Sequence, residues 1–235
     1  MNTRDISFQK KYISIKYRDD SDTSVIDEFF VDHMYRSLDS IISNIQYPII
    51  DVGAHIGVFS LYARTLNPNV KIIALEPHPD NIQLFEQNSS LNLLKNVHLL
   101  PYALSDSVET RIKLFISKNS HNHTTSSDHS TSSSSDHIQV RTISFDKLIE
   151  KEHIDTIGLL KMDIEGAEFD ILKSFDLSIF RSIQYMAVEY HETQKNKRVN
   201  LENILREHGF SVEHFPNKFD KKFGLLLGRN KRIQN

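Results

Sequence analysis

Charged and apolar residues alternate in the run Leu160-Lys161-Met162-Asp163-Ile164-Glu165-Gly166-Ala167-Glu168. Successive side chains of a strand point to opposite faces, so Lys161 and Asp163 share one face while their apolar neighbours take the other. A charged pair is costly to bury without a role, and we therefore predict Asp163 as a catalytic residue with Lys161 beside it. For Glu165 and Glu168, stabilising the start of the next helix is an equal alternative.

A second group of candidates, Glu189-Tyr190-His191-Glu192, ends a later apolar run. Glu189 and His191 share a face by the same alternation. A histidine titrates near neutral pH, so His191 is a candidate general base for an acceptor hydroxyl, and a hydrogen-bonded structural histidine is the alternative. Asp163 and His191 could together hold a divalent cation. No metal site is predicted, because carboxylate and imidazole alone do not fix a metal.

A glycine-containing turn follows an apolar strand in Ile49-Ile50-Asp51-Val52-Gly53-Ala54-His55-Ile56-Gly57. Gly53 and Gly57 allow tight bending and close approach of a ligand, which Ala54 would also contact. Their G-x-x-x-G spacing differs from the G-x-G-x-x-G of dinucleotide dehydrogenases. Asp51 would disfavour a pyrophosphate and suit a cationic sulfonium ligand. The alternative is that the turn needs its glycines for structural reasons alone.

Two further strand ends supply candidates for the same ligand. Glu76 follows the next apolar run, 25 residues after Asp51, where an acidic residue can accept both ribose hydroxyls of an adenosine. The alternative is a solvated loop residue. Ala103 and Asp106 follow the third strand, where they would flank an adenine ring, although packing and turn formation are open alternatives for them.

These candidates require a scaffold that brings several strand ends together. Apolar runs alternating with helical periodicity predict an α/β domain with a mostly parallel sheet and crossover helices. The strands are expected at about 48–53, 70–76, 97–101, 157–163 and 183–190. The helices are expected near 56–66, 79–91, 166–175 and 199–208. An antiparallel hairpin, Ser211–Phe215 with Phe223–Leu227, closes the sheet.

The segment before this domain, residues 1–46, is predicted as a packed extension, and 47–235 as the ligand-binding domain. The extension consists of a strand around Ile13–Tyr17 and an amphipathic helix that starts at Ser24 and continues to Ile45. Residues 118–137 are rich in serine and histidine with almost no apolar content, which predicts a surface loop between strands at 111–116 and 138–143. Its four histidines could chelate a metal only loosely.

Composition narrows the function. The chain has 235 residues, a formal charge of −3 and no cysteine. The absence of cysteine excludes disulfides and a cysteine nucleophile, and the charge disfavours a nucleic-acid partner. No secretory signal or membrane-spanning run is found, so the expected location is the cytoplasm. Oligomeric state cannot be read from the sequence.

Five motifs together resemble the FkbM family of methyltransferases. They occur in this order: Asp51–Gly57, Glu76-Pro77, Ala103–Asp106, Val140–Asp146 and Leu160–Glu168. The resemblance covers roughly residues 48–192, and it departs at His55, where the family commonly carries asparagine. It implies a Rossmann-like class I methyltransferase fold, a seven-stranded sheet and S-adenosylmethionine as donor. It also implies O-methylation of a sugar, glycan or other small-molecule acceptor.

The resemblance implies that Asp51, Gly53, Gly57 and Glu76 bind the donor and that Asp163 lies at the reaction centre. Two alternatives remain at this point. One is a catalytically silent binding or interaction module with the same fold. The other is a nicotinamide-dependent oxidoreductase, which should have the tighter glycine fingerprint that this chain lacks.

Overall fold

A computed structural model describes residues 1–106, 110–115, 137–193, 195–218 and 220–233. The predicted loop at 118–137 lies outside these residues, apart from His137. The strands are β1 Asn2–Phe8, β2 Lys11–Tyr17, β3 Ile49–Val52, β4 Ile72–Leu75, β5 Val97–Leu100, β6 Ala103–Leu104, β7 Arg111–Phe115, β8 His137–Ile143, β9 Ile157–Met162, β10 Ile183–His191, β11 Phe210–Pro216 and β12 Phe223–Asn230. The helices are α1 Asp20–Phe30, α2 Asp39–Asn44, α3 Val58–Leu66, α4 Pro79–Leu91, α5 Phe145–Glu152, α6 Glu168–Ser174, α7 Leu177–Ser182 and α8 Arg198–Glu207.

The predicted seven-stranded sheet is confirmed, with strand order β11-β12-β10-β9-β3-β4-β5. Strands β10, β9, β3, β4 and β5 pair in parallel, whereas β12 runs antiparallel to both β10 and β11. Every residue of β3, β4 and β9 is buried, as expected for parallel strands covered by helices on both faces. The carboxyl ends of the central strands therefore meet at one edge of the sheet.

The N-terminal segment differs from its prediction. The strand near Ile13 is found as β2, but β1 pairs with it to make a hairpin. The single helix predicted from Ser24 to Ile45 is wrong: α1 starts earlier, where the Asp19 side chain accepts a hydrogen bond from the Asp22 amide, and it ends at Phe30. The chain then passes through His33 at a left-handed φ of 52° before α2, which no continuous helix allows.

This segment packs into the core of the sheet domain. Phe29 stacks on Tyr35 with ring centroids 4.2 Å apart and also contacts Phe59 of α3. Ile26 and Tyr35 are 0% and 2% exposed. The apolar face of α1 therefore covers one side of the sheet near the amino end of α3.

A smaller sheet lies beside the main one, in the order β6-β8-β7. The pairing of β7 with β8 confirms the two strands predicted around the polar loop, and β8 also pairs with β6 in parallel. The helices α5 and α7 were not expected from the sequence. Both are short and are capped at their starts by the side chains of Ser144 and Asp176.

Candidate active site

A cavity of about 280 Å³ opens at the carboxyl edge of the parallel strands. The predicted site residues that line it are Gly53, Ala54, Glu76, Ala103, Lys161, Asp163 and His191. The cavity is also lined by Val25, Glu28 and Phe29 from α1. The structure thus brings most of the predicted residues to one place and adds a wall from the N-terminal segment.

Three predicted site residues do not line this cavity: Asp51, Gly57 and Asp106. Gly57 has a φ of 89°, and a Cβ there would lie 2.9 Å from the Phe85 ring, so its glycine is explained by conformation and packing. Asp106 is exposed. Ligand contact by these residues therefore stays a prediction without support from the cavity.

The glycine turn is held close to the strand that carries Asp163. Gly53 has a φ of 79°, and a Cβ on it would lie 1.8 Å from the Asp163 carbonyl oxygen. The Gly53 amide donates a hydrogen bond to the Leu75 carbonyl at 3.1 Å. Only glycine fits between these two strand ends, so the turn sets the distance between the two halves of the cavity.

Glu76 points toward this turn. Its Oε2 accepts a hydrogen bond from the His55 amide at 2.8 Å, and its Oε1 accepts from the His78 amide at 2.8 Å and from the Asn81 side chain at 3.2 Å. The residue is 5% exposed, and burial raises the pKa of its carboxyl group. These donors fix the carboxylate at the cavity wall, so it is oriented before any ligand binds.

Lys161 and Asp51 form a buried pair behind the turn. The Lys161 Nζ lies 3.2 Å from Asp51 Oδ1, 3.7 Å from Asp163 Oδ2, and donates a hydrogen bond to the Gly53 carbonyl at 2.9 Å. Ser60 donates a further hydrogen bond to Asp51. Since the charge of Asp51 is already compensated by Lys161, its effect on a sulfonium ligand is indirect, through the position of the turn and of Lys161.

Carboxylates concentrate at the other end of the cavity. Glu28 comes from α1, Asp163 and Glu165 from the loop after β9, and Glu189 from β10. Burial and mutual repulsion raise the pKa of Glu28 to about 9, that of Glu165 to about 8 and that of Glu189 to about 7. We call these four residues the carboxylate cluster. Of these, Glu165 and Glu189 titrate closest to neutral pH.

His191 lies against this cluster. Its Nε2 is 3.4 Å from Glu165 Oε2, and its Nδ1 is 3.5 Å from Glu168 Oε1. Burial opposes the charged imidazole, but these carboxylates raise the pKa of His191 well above its usual value. Because these carboxylates favour the charged imidazole, they oppose proton acceptance by the ring, and the role of His191 as general base stays a prediction without support from this geometry.

Glu168, the first residue of α6, contacts the turn that precedes this helix. Its carboxylate is fully buried and accepts hydrogen bonds from the amides of Ile164 at 2.9 Å and Gly166 at 2.8 Å. It therefore stabilises the turn that carries Asp163 and Glu165, whereas Glu165 itself lines the cavity.

Sequence reasoning missed the contribution of the N-terminal segment. Glu28 lines the cavity, and the Tyr35 hydroxyl donates a hydrogen bond to Glu189 Oε2 at 2.9 Å. The available signal was an acidic residue directly before the apolar pair Phe29 and Phe30. That signal does not show which strands have their carboxyl ends next to α1.

A polar anchor ties this segment to the glycine turn. Asp22 is fully buried, receives hydrogen bonds from the Arg18 side chain at 2.8 and 2.9 Å, and lies 3.2 Å from His55 Nε2. Arg18 also donates to Asn81, the residue that contacts Glu76. The histidine at position 55 therefore has a partner in the extension, and its left-handed φ of 50° also fits the turn.

Two solved structures share this architecture. A putative methyltransferase from Streptococcus mutans in complex with SAH superposes with a TM-score of 0.52 at 11% identity, over 83% of this chain and 97% of that chain. Magnesium protoporphyrin IX methyltransferase from Synechocystis, also with SAH, gives 0.51 at 8% identity, over 90% and 84%. The fold is that of the Rossmann-like class I methyltransferases, as predicted.

The family follows from the sequence comparison. The family model "Methyltransferase FkbM domain" matches residues 51–212, and the chain belongs to this family. Methyltransferase sdnD of Sordaria araneosa is 28% identical over 213 residues, covering 79% of this chain and 80% of the relative. Hexuronic acid methyltransferase AglP of Haloferax volcanii is 28% identical over 182 residues, covering 76% and 69%. In the part of the chain that the structure describes, no helix is both long and apolar enough to cross a membrane.

Proposed function

We propose that the protein transfers the methyl group of S-adenosylmethionine to a hydroxyl oxygen of a sugar, glycan or other small-molecule acceptor. Family membership supports methyl transfer, and the relative AglP is named as a methyltransferase of a hexuronic acid. Two solved structures with the same fold contain SAH, the product of that donor.

The observation that carries the proposal is the preformed Glu76 carboxylate beside the glycine turn. A ribose presents two adjacent hydroxyls, and a fixed carboxylate accepts both of them. With the ribose on Glu76 and the chain passing over Gly53, the sulfonium would lie toward Asp163. Ala54 and Ala103 are small residues of the same wall, where a flat adenine ring can fit.

The acceptor would occupy the end with the carboxylate cluster. Carboxylates there accept hydrogen bonds from hydroxyl groups and so orient the attacking oxygen. In the transfer step the acceptor oxygen forms a bond to the methyl carbon, and the carbon–sulfur bond breaks with its electron pair passing to sulfur. The hydroxyl proton goes to Glu189, whose pKa of about 7 allows its carboxylate to accept a proton near neutral pH.

Lys161 and Asp163 have different roles in this scheme. Asp163 lies at the junction of the two halves, where its charge favours the sulfonium and orients the acceptor. Lys161 is tied to Asp51 and to the Gly53 carbonyl, so it positions the turn and moderates the charge of Asp163.

Calorimetry with three ligands tests the donor. S-adenosylmethionine and S-adenosylhomocysteine should bind one per chain, whereas reduced nicotinamide dinucleotide should not. Binding of the nicotinamide alone would refute the proposal in favour of an oxidoreductase. A screen of sugars and glycans for S-adenosylhomocysteine release then tests transfer, and donor binding without turnover on any acceptor would favour a silent binding module.

A further inference from the structure

Three potential metal ligands converge at the acceptor end of the cavity. Asp163, Glu189 and His191 each offer one ligand atom, and these atoms all lie within 4.8 Å of one another. Ligand atoms around one octahedral ion with bonds of about 2.1 Å lie roughly 3 to 4 Å apart. Small side-chain adjustments would therefore bring the three onto a single ion.

The imidazole of His191 is a second and independent indication. The side chain is 8% exposed, lines the cavity, and its Nδ1 makes no hydrogen bond with any part of the chain that the structure describes. Its carboxylate neighbours Glu165 and Glu168 lie at 3.4 and 3.5 Å, at ion-pair distances. Since a buried polar atom is costly without a partner, this nitrogen-bearing ring is suited to a ligand in the cavity.

The charge of the residues that line the cavity also favours a bound cation. Lys161 is the sole lysine or arginine among the described residues that line it, and Asp51 and the Gly53 carbonyl already hold its ammonium group. Four carboxylates of the cluster face this single cation. A divalent ion would compensate two negative charges at the place where they are closest together.

We propose that Asp163, Glu189 and His191 bind a divalent cation of the magnesium or manganese type, which holds the acceptor hydroxyl beside the methyl donor. His191 would bind the ion as the neutral imidazole, so ion binding releases the proton that its carboxylate neighbours favour. Two carboxylates with one imidazole leave coordination positions for water or for acceptor oxygens. The ion would lower the pKa of a bound hydroxyl, and its positive charge would favour the ionised form of Glu28, which lines the same cavity and can then take the proton. The role in transfer rests on the proposed function, but ion binding does not.

Manganese binding to the full chain tests the site. With the protein saturated with S-adenosylhomocysteine, titration followed by electron paramagnetic resonance should show one Mn²⁺ per chain, which Mg²⁺ displaces. Glu189→Gln and His191→Ala should each weaken Mn²⁺ binding at least about tenfold. Glu213→Gln, a surface variant on β11, should bind Mn²⁺ like the wild type. Thermal unfolding and S-adenosylhomocysteine affinity of each variant confirm that it is folded.

A second measurement locates the ion. Mn²⁺ should broaden the methyl resonance of S-adenosylmethionine labelled with ¹³C at that methyl, because an ion held by Asp163, Glu189 and His191 lies beside the donor. No saturable Mn²⁺ binding, binding that survives both substitutions, or an unbroadened methyl signal would each overturn the site. If the ammonium group of glucosamine bound to the carboxylate cluster and Mn²⁺ did not, the metal site would also be overturned. The cluster would then be a binding site for the ammonium group of an amino sugar. If the donor fails to bind, the proposed function fails, and the Mn²⁺ titration of the free chain still decides the metal site.

Discussion

Replacing Glu76 by glutamine probes the donor site with little change in shape. One oxygen of the carboxylate becomes an amide NH₂, and both oxygens now accept backbone amides, from His55 and His78. An N–H of the glutamine side chain would then face a backbone N–H, which is also a donor. The negative charge that contacts the ribose hydroxyls in the proposed complex would also be lost. A hydrogen bond to a charged group contributes about 1.5–3 kcal/mol. Losing the equivalent of one or two such bonds should weaken the free energy of ligand binding by about 3 kcal/mol. The Kd for S-adenosylhomocysteine should therefore rise about a hundredfold.

Calorimetry on the wild type and the variant measures this change directly. The matched control is Glu86→Gln on the exposed side of α4, which removes the same charge outside the cavity and should leave the Kd unchanged. The melting temperature of Glu76→Gln separates lost contacts with the ligand from a collapsed turn. A folded variant with a Kd within about threefold of the wild type would show that Glu76 does not hold the ribose.

Three further substitutions test other parts of the site. Gly53→Ala should cost about 2 kcal/mol or more of folding stability in chemical denaturation, because of its φ of 79° and the clash with the Asp163 carbonyl; wild-type stability would contradict this. Asp163→Asn should lower turnover about a hundredfold and weaken binding of S-adenosylmethionine, whose sulfonium its charge favours, while the affinity for S-adenosylhomocysteine is kept. Unchanged turnover on the acceptor found by screening would exclude Asp163 from catalysis. Asp22→Asn should destabilise the fold at pH 7. Burial opposes ionisation of Asp22, but His55 and Arg18 hold its pKa far below the usual range, so this stabilisation is present above about pH 4 and lost as the pH falls further. Melting curves of wild type and Asp22→Asn should therefore converge in acid, and a constant gap would refute the reasoning.

The sheet could be predicted because each of its parallel strands has a local signal. The apolar runs ending at Val52, Leu75 and Met162 are buried on both faces, and glycine, proline and acidic residues mark where they stop. Those same stops place the candidate side chains, since parallel strands end at one edge. Glu76, Gly53 and Asp163 follow three strands that are neighbours in the sheet, so they lie close together. The sequence motifs indicate where each of these strands ends.

What could not be predicted depends on contacts between distant segments. The charge of Asp51 suggested a ligand contact, but the pairing register of β3 with β9 sets Asp51 beside Lys161 and compensates it inside the fold. The surroundings of His191 were hidden for the same reason: its carboxylate neighbours Glu165 and Glu168 come from the loop after β9 and the start of α6. The break between α1 and α2 at His33 likewise has no marker such as glycine or proline.

The part of the cavity wall that contains the carboxylate cluster lies partly outside the region that defines the family. The family match covers residues 51–212, whereas Glu28, Phe29 and Tyr35 come from the segment before it. The contact between Asp22 and His55 fixes that segment to the glycine turn. A substitution in the extension should therefore also affect the glycine turn. A cavity lined by four carboxylates favours neutral or cation-bridged hydroxyl groups and repels an uncompensated acid. The acceptor of a relative such as AglP therefore does not transfer to this chain by family membership alone, and a hexuronate should enter this cavity only with a bound cation.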